Sequence, residues 1–437
     1  MTPAARIAAV IEALDQVEVA PRPADAVISA YFRDRRYIGS KDRSAIAEAL
    51  YTLLRHRARL RWWLERSGWT GPVTARATVI AERLLLRDGH AAALATVFSG
   101  GRFAPAAWDD AETRLARALD RHTLDHPAMP EQIQLECPDW AEPALRAALG
   151  ERFAAEMAAL LEPAAMDLRV NPVKTTREAA LTALRGEGII AEPTRWSPLG
   201  IRVQGRPALA ATETFRNGLV EIQDEGSQLV ALIADAQPGQ QVVDFCAGAG
   251  GKALAMAAAM ANKGRVVACD VLGGRLKRAA ERLRRAGLFN VETRELSSER
   301  DPWVKHHKGM FDRVLVDAPC SGTGTWRRNP DQRWRRQGPD LGELRRLQAE
   351  ILDSAARLAK PGGRVIYATC SLLLEENEVQ IESFLGTHPD FVVRPITELW
   401  GDVIGGRAPV EEPMLRLSPG RHGTDGFFAA VLERVVP

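Results

Sequence analysis

The chain has 437 residues, 46% apolar and 26% charged, with a formal net charge of +2. That length predicts two or three domains, each large enough to bury its own core. The composition is ordinary for a soluble globular protein, and no apolar run approaches the roughly 18 residues that a membrane span needs.

The N-terminal "MTPAARIAAVIEALDQV" is interrupted by Glu12 and Asp15 and leads into no long apolar core. It is expected to be an amphipathic helix of a cytoplasmic protein rather than a leader. Residues 1–125 carry 19 basic against 15 acidic residues, too mild a bias to demand a nucleic-acid partner by itself. "DRSAIAEALYTLLRHRARLRWWLERSG" repeats apolar residues at helical spacing, with Arg opposite and Gly68 as a stop. An all-helical domain is therefore expected over residues 1–126. "HPAMPEQIQLECPDW" is broken by Pro and predicts a linker with a short helix. A strand at Leu168–Val170, a helix over Thr176–Gly186 and further short strands predict a small α+β module within 127–222.

From residue 223 to 437 strands and helices alternate. "QVVDFCAGAGGKALAMAAAM", "RVVACD", "FDRVLVDAPC" and "GGRVIYATC" supply strands, with a helix over Asp340–Ala359 before the last. The pattern predicts an α/β domain with a parallel sheet covered on both faces. In "DFCAGAGGK", Gly248, Gly250 and Gly251 remove side chains between a strand and a helix. Asp270 ends the next strand, 20 residues beyond Gly250, where an acid can accept both hydroxyls of a ribose. The pair fits a nucleoside cofactor, although it is neither G-x-G-x-x-G nor a phosphate-binding P-loop. Lys252 can serve the ligand or cap the loop, and Cys246 is expected to offer its backbone.

The five cysteines are widely spaced and form no C-x-x-C pair, so neither zinc nor a disulfide framework is expected. Cys269 lies inside a strand and is expected to be core. Cys320 and Cys370 each follow a strand, at the edge where such sheets bind ligands. A thiolate that adds to C6 of a pyrimidine gives C5 the nucleophilic character needed to accept a methyl group. A carboxyl group beside ring N3, such as Asp317, stabilises that adduct, and a second thiol can assist elimination. Spacing alone does not say which cysteine does which.

The motifs "RVNPVKTTREA", "VEIQDEGSQLVA", "DFCAGAGGK", "VLVDAPCSGTGTWRRNPDQRW", "YATCSLLLEENEVQI" and "RHGTDGFF" resemble the Sun (Nol/Nop/Sun) family of RNA cytosine-C5 methyltransferases over residues 165–437. "RPADAVISAYFRDRRYIGSKDR" is similar to the bacterial small-subunit ribosomal RNA group of that family, which begins with an all-α NusB-like RNA-binding domain. The resemblance implies a Rossmann-like S-adenosylmethionine-dependent methyltransferase domain preceded by the α+β module and that helical domain. It implies Cys370 as the nucleophile and Cys320 as the residue assisting product release. Cys246, Ala247, Gly248, Ala249, Gly250, Gly251 and Lys252 would cradle the cofactor. Asp270 would hold the ribose, and Asp317 would contact methionine or base. Glu295 stands where the family usually has an Asp near the adenine, and Ala-Gly-Ala-Gly-Gly replaces its usual Ala-Ala-Pro-Gly-Gly.

RNA, with no metal and no membrane, is the expected partner of a monomer. Small-subunit (16S) ribosomal RNA is the leading substrate, with transfer RNA or a non-catalytic assembly role as alternatives. Trp326, Arg327, Arg328, Arg333, Trp334, Arg335 and Arg336 interleave aromatic and basic side chains, which suits phosphate contact and base stacking. His306 and His307 are expected on the surface, and the acids of "EENE" (375–378) at the start of a helix.

Overall fold

A computed structural model describes residues 1–87, 89–334 and 338–436. They form two compact units. The first comprises 1–146, 151–162 and, from far along the chain, 326–334. Its helices include Pro3–Val19, Ala24–Asp34, Ser40–Arg55, Arg57–Arg66, Ala75–Leu86 and Asp110–Leu119. The starts are specified locally. Thr2 and Thr74 accept N–H bonds at two of them, and Asp109 with Glu112 forms a capping box at a third. Leu14, Leu50, Leu53, Ile80 and Leu119 meet in its core.

Residues 326–334 overturn the expectation of an RNA-facing loop at Trp326 and Arg333. Trp326 and Arg333 are both 0% exposed. Arg333 donates from Nη1 to the Glu136 carbonyl at 3.1 Å and from Nη2 to the Leu160 carbonyl at 2.7 Å. It also lies 5.1 Å from the centre of the Trp326 ring, which meets Trp140 edge-on. Asp331 accepts the Ala24 N–H, and the Arg327 carbonyl accepts both Arg55 Nη atoms. A basic-aromatic run looks the same in sequence whether its cations meet phosphate or buried carbonyl dipoles. Arg335 and Arg336 lie outside the described residues. The Pro-broken segment expected as a linker does hold a short helix, Glu131–Gln134, and packs into the core of this unit through Met129 and Ile133.

The second unit holds two sheets. Strands β1 (Met166–Val170), β2 (Ala191–Pro193), β3 (Gly200–Val203) and β4 (Val220–Ile222) form an antiparallel sheet in the order β2-β3-β1-β4. The helix Arg177–Gly186 packs on it through Ala180 and Leu184. Strands β5 (Gln241–Asp244), β6 (Arg265–Asp270), β7 (Val291–Glu295), β8 (Phe311–Asp317), β9 (Ala359–Thr369), β10 (Phe391–Arg394), β11 (Leu415–Leu417) and β12 (Phe427–Arg434) form the other. Its order is β10-β12-β9-β8-β5-β6-β7, with β11 beside β12. Strands β5 to β9 are parallel, and β12 is inserted antiparallel between β9 and β10.

The two-residue period of the strands divides the core into two layers. Val242, Leu315 and Ile366 face Leu229 and Leu254, while Val243, Val314 and Val365 face Ile351, Leu352 and Phe384. The expected helix ending at Ala359 is shorter: Asp340 caps Leu341–Ala356, and Ala359 already begins β9. Strand order reverses between β5 and β8, which opens a crevice beyond their carboxyl ends. Among the described residues, no helix is long and apolar enough to cross a membrane.

Candidate active site

The glycine loop runs from the end of β5 into the helix Gly251–Ala259. Gly248 and Gly250 take φ of 56° and 79°, where a side chain is strained. A Cβ on Gly250 would lie 2.8 Å from the Ala279 Cβ, so this glycine serves close packing of the helix Gly273–Ala286. A Cβ on Gly248 would meet nothing within 4 Å. The space beside Gly248 is therefore open to a ligand. Gly248 donates its N–H to Asp270 Oδ2 at 2.8 Å, and Leu272 N–H binds Oδ1 at 2.8 Å. These bonds fix the Asp270 carboxylate at the tip of β6 while leaving lone pairs for ribose hydroxyls. Glu295 pairs with Asp270 across β6 and β7, is exposed, and lies so close over Gly273 that a Cβ there would fall 2.2 Å from its Oε2.

Asp244, at the end of β5, is 1% exposed, and neither of its oxygens makes a well-formed hydrogen bond. Burial, and then the charge of Asp317, push its carboxyl up to about 7, while Lys252 and the nearby Ala253 N–H pull the other way. Lys252 donates from Nζ to Asp317 Oδ2 at 2.6 Å and lies 5.4 Å from the centre of the Phe427 ring. Burial works against its charge, but Asp317 and Asp244 outweigh that, so its ammonium is held above the ordinary value. Lys252 thus links the loop to the carboxylate at the end of β8.

The two thiols meet. Cys320 Sγ lies 3.5 Å from Cys370 Sγ, and both cysteines are free and half-buried. The hydrogen bond to Cys370, followed by burial, holds the Cys320 thiol well above its usual pKa. The Lys252 charge also feels Cys370. Cys320, Cys370, Asp317 and Lys252 are therefore one cluster, at the ends of β8 and β9 and the start of the loop helix. Cys246 is half-buried, its thiol held well above the ordinary value by burial and three neighbouring carboxylates. Cys269 is core. His306 is exposed, whereas His307 is half-buried and stacks on Trp303 at 4.2 Å.

Sequence reasoning gave no role to Arg169, although it lies in a quoted motif. It is 4% exposed and donates to the Gly251 carbonyl at 2.8 Å and to Gln223 Oε1. Arg282 likewise holds the Ala249 carbonyl at 2.7 Å. An Arg between Leu168 and Val170 in a short strand whose burial is nearly continuous is the signal that could have found it. Glu376 was read as part of a helix start, yet it is fully buried beneath the cysteines.

A Rossmann-like sheet with this strand order, a glycine loop after its first parallel strand and an acid at the tip of the second define an S-adenosylmethionine-dependent methyltransferase. Gly248, Asp270 and the unpartnered Asp244 carboxylate fit the polar end and the ribose of that cofactor. The model of 16S rRNA methyltransferase RsmB/F matches residues 231–433, and that of the RsmF/B-like ferredoxin-like domain matches 137–209. Ribosomal RNA small subunit methyltransferase B of Sodalis glossinidius is 32% identical over 404 residues, covering 90% of each chain. The crystal structure of PH0851 matches with a TM-score of 0.78 and 27% identity, covering 99% of each chain. NSun6 from Pyrococcus horikoshii, crystallised with SFG, shares the fold at a TM-score of 0.58 and 20% identity, over 69% of this chain and 99% of its own. The chain belongs to the ribosomal RNA small subunit methyltransferase B family.

Proposed function

We propose that this RNA methyltransferase modifies C5 of a cytosine in 16S ribosomal RNA through a covalent bond between Cys370 and C6. The observation that carries the reading is the 3.5 Å approach of two free thiols beside the Lys252–Asp317 pair. Cys370 gives up its thiol proton and Sγ adds to C6, the ring loses its conjugation, and electron density accumulates at C5. N3 takes up that proton as the adduct forms, and the Asp317 carboxylate, set in place by the Lys252 ammonium, accepts the N3–H hydrogen bond. S-adenosylmethionine, when bound, supplies the electrophilic methyl group for C5. Cys246–Lys252, Asp270 and Glu295 would hold it, and Asp317 would share in that contact.

Resolution needs the C5 proton to leave, the C5–C6 double bond to re-form and the S–C6 bond to break. Once Cys370 is bonded to carbon, the partner that raises the Cys320 thiol is gone. Cys320 then gives up its own proton to solvent more readily, and its thiolate accepts the proton from C5 as the C5–C6 double bond re-forms. Cys370 leaves as a thiolate, which takes up the proton that N3 releases. Residues 1–126 and the module within 127–222 are the surfaces we assign to RNA.

Replacing Cys370 with Ser should abolish turnover, and replacing Cys320 with Ser should trap a protein–RNA adduct that survives denaturation. Bisulfite sequencing of cellular RNA with and without the gene should show one 16S cytosine losing its methyl group. A Cys370 variant of full activity refutes the nucleophile, and loss of the mark from transfer RNA instead refutes the substrate.

A further inference from the structure

The carboxylate of Glu376 joins the residues that follow both cysteines. It is 0% exposed, in the short helical turn Leu374–Glu376. Its Oε1 accepts the backbone N–H of Ser321 at 2.8 Å and Gln348 Nε2 at 3.0 Å. Its Oε2 accepts the hydroxyls of Ser321 and Ser371. Ser321 follows Cys320, and Ser371 follows Cys370. Thus one carboxylate makes three bonds to the neighbours of the two thiols. Gln348 ties it further to the Pro319 carbonyl, at 2.9 Å.

The residues around Glu376 act in the same direction. The Tyr367 hydroxyl holds the Glu376 carbonyl at 2.8 Å, and Asn377 receives Thr369 Oγ1 at 2.6 Å and donates to the Ser371 carbonyl at 3.0 Å. Gly324 N–H binds the Cys370 carbonyl at 2.9 Å. The strand tips are parallel neighbours, Asp317 opposite Ala368, but the two Cys-Ser turns lie beyond the ladder. Beyond the ladder their spacing is set by these side chains together with the backbone bond from Gly324 to Cys370.

We propose that Glu376 is a positioning residue, which clamps the Cys320 and Cys370 turns at the separation that adduct resolution requires. The inference rests on the covalent reading of Cys370 and Cys320 above. Two of the three bonds go to Ser321, one of them to its backbone, so the Cys320 side depends most on the clamp. Truncation then frees Cys320 to drift, while Cys370 stays anchored through its neighbour Thr369, the last residue of β9, which pairs with Phe428 of β12. Misplacement by about 1 Å costs on the order of 100-fold in rate.

The test uses the full chain with 16S ribosomal RNA and S-adenosylmethionine, comparing wild type, Glu376→Ala, Glu376→Gln and Cys320→Ser. Glu376→Ala should lower kcat by roughly 10- to 100-fold and raise the steady-state fraction of covalent protein–RNA adduct. Affinity for S-adenosylmethionine should stay within about twofold. Glu376→Gln keeps an acceptor for the Ser321 N–H, and the hydroxyls of Ser321 and Ser371 can turn to accept its amide, so it should recover most of the rate. Unchanged kcat and adduct in Glu376→Ala overturn the proposal. So does a joint fall of kcat, adduct and cofactor affinity, which is what simple loss of structure gives. If Cys320→Ser traps no adduct either, the covalent reading itself fails.

Discussion

Substituting Ala at each of Gly248, Gly250 and Gly251 separates the two tasks of the glycine loop. Gly250 has φ of 79°, and its new Cβ would sit 2.8 Å from the Ala279 Cβ and 3.1 Å from Leu254. The left-handed backbone costs Ala about 1–2 kcal/mol, and overpacking a tight contact adds about 1–3 kcal/mol. Gly250→Ala should therefore lose roughly 2–5 kcal/mol of stability. Gly248 has φ of 56° but open space, so only the backbone cost of about 1–2 kcal/mol applies. Its Cβ would intrude on the ligand side, and S-adenosylmethionine should bind about tenfold more weakly, or about 1.4 kcal/mol. Gly251 opens the helix without positive φ, and its Cβ would meet Gln223 at an ordinary 3.6 Å, so Ala there should be neutral or stabilising. Urea midpoints followed by far-UV circular dichroism, with calorimetric titration of the cofactor, give both quantities. A Gly250→Ala protein as stable as Gly251→Ala would refute the packing argument, and unchanged cofactor affinity in Gly248→Ala would refute the ligand argument.

Asp244 binds its proton more tightly when folded, up to about 7 from an ordinary 3.8, so its share of stability is present at low pH and falls as pH rises between those values. Asp244→Asn should remove that slope, matching the stability of wild type near pH 4 and exceeding it at pH 8 by up to about 4 kcal/mol in urea unfolding; equal differences at both pH values would contradict it. Arg333→Met leaves the Glu136 and Leu160 carbonyls unpaired and should destabilise the helical unit by about 2–4 kcal/mol. RNA affinity of the folded protein should keep its salt dependence, whereas loss of a phosphate contact would lower the slope of log affinity against log salt by about one. Arg169→Leu should loosen the turn at Gly251 and weaken cofactor binding more than it lowers the melting temperature, which paired calorimetry and thermal scans would check.

The parts of the site carried by regular alternation were legible. Asp244, Asp270, Asp317 and Thr369 end strands whose apolar runs are plain in the sequence, and parallel pairing brings such ends to one edge. The meeting of Cys320 and Cys370 followed from that rule and from the need for two thiols. Glu376 was not legible as a clamp because its partner Ser321 lies 55 residues away, and acids before a helix usually have a local reason. The repeated Cys-Ser at both turns was the available clue, since two hydroxyls in matching places invite a common acceptor. Trp326 and Arg333 were misplaced because composition does not record which unit a segment joins. Lys252 was left between ligand and loop; its short bond to Asp317 instead makes it a bridge between two strand ends.

Residues 326–334 complete a body otherwise built from the first 162 positions. During translation that body emerges early but lacks the buried Arg333 side chain that pairs the Glu136 and Leu160 carbonyls. At about 5–20 residues per second the missing piece arrives roughly ten to thirty seconds later. A fragment ending near residue 162 should therefore be an incomplete fold, dependent on chaperones, and supplying a peptide of 326–334 in trans should restore part of its protease resistance.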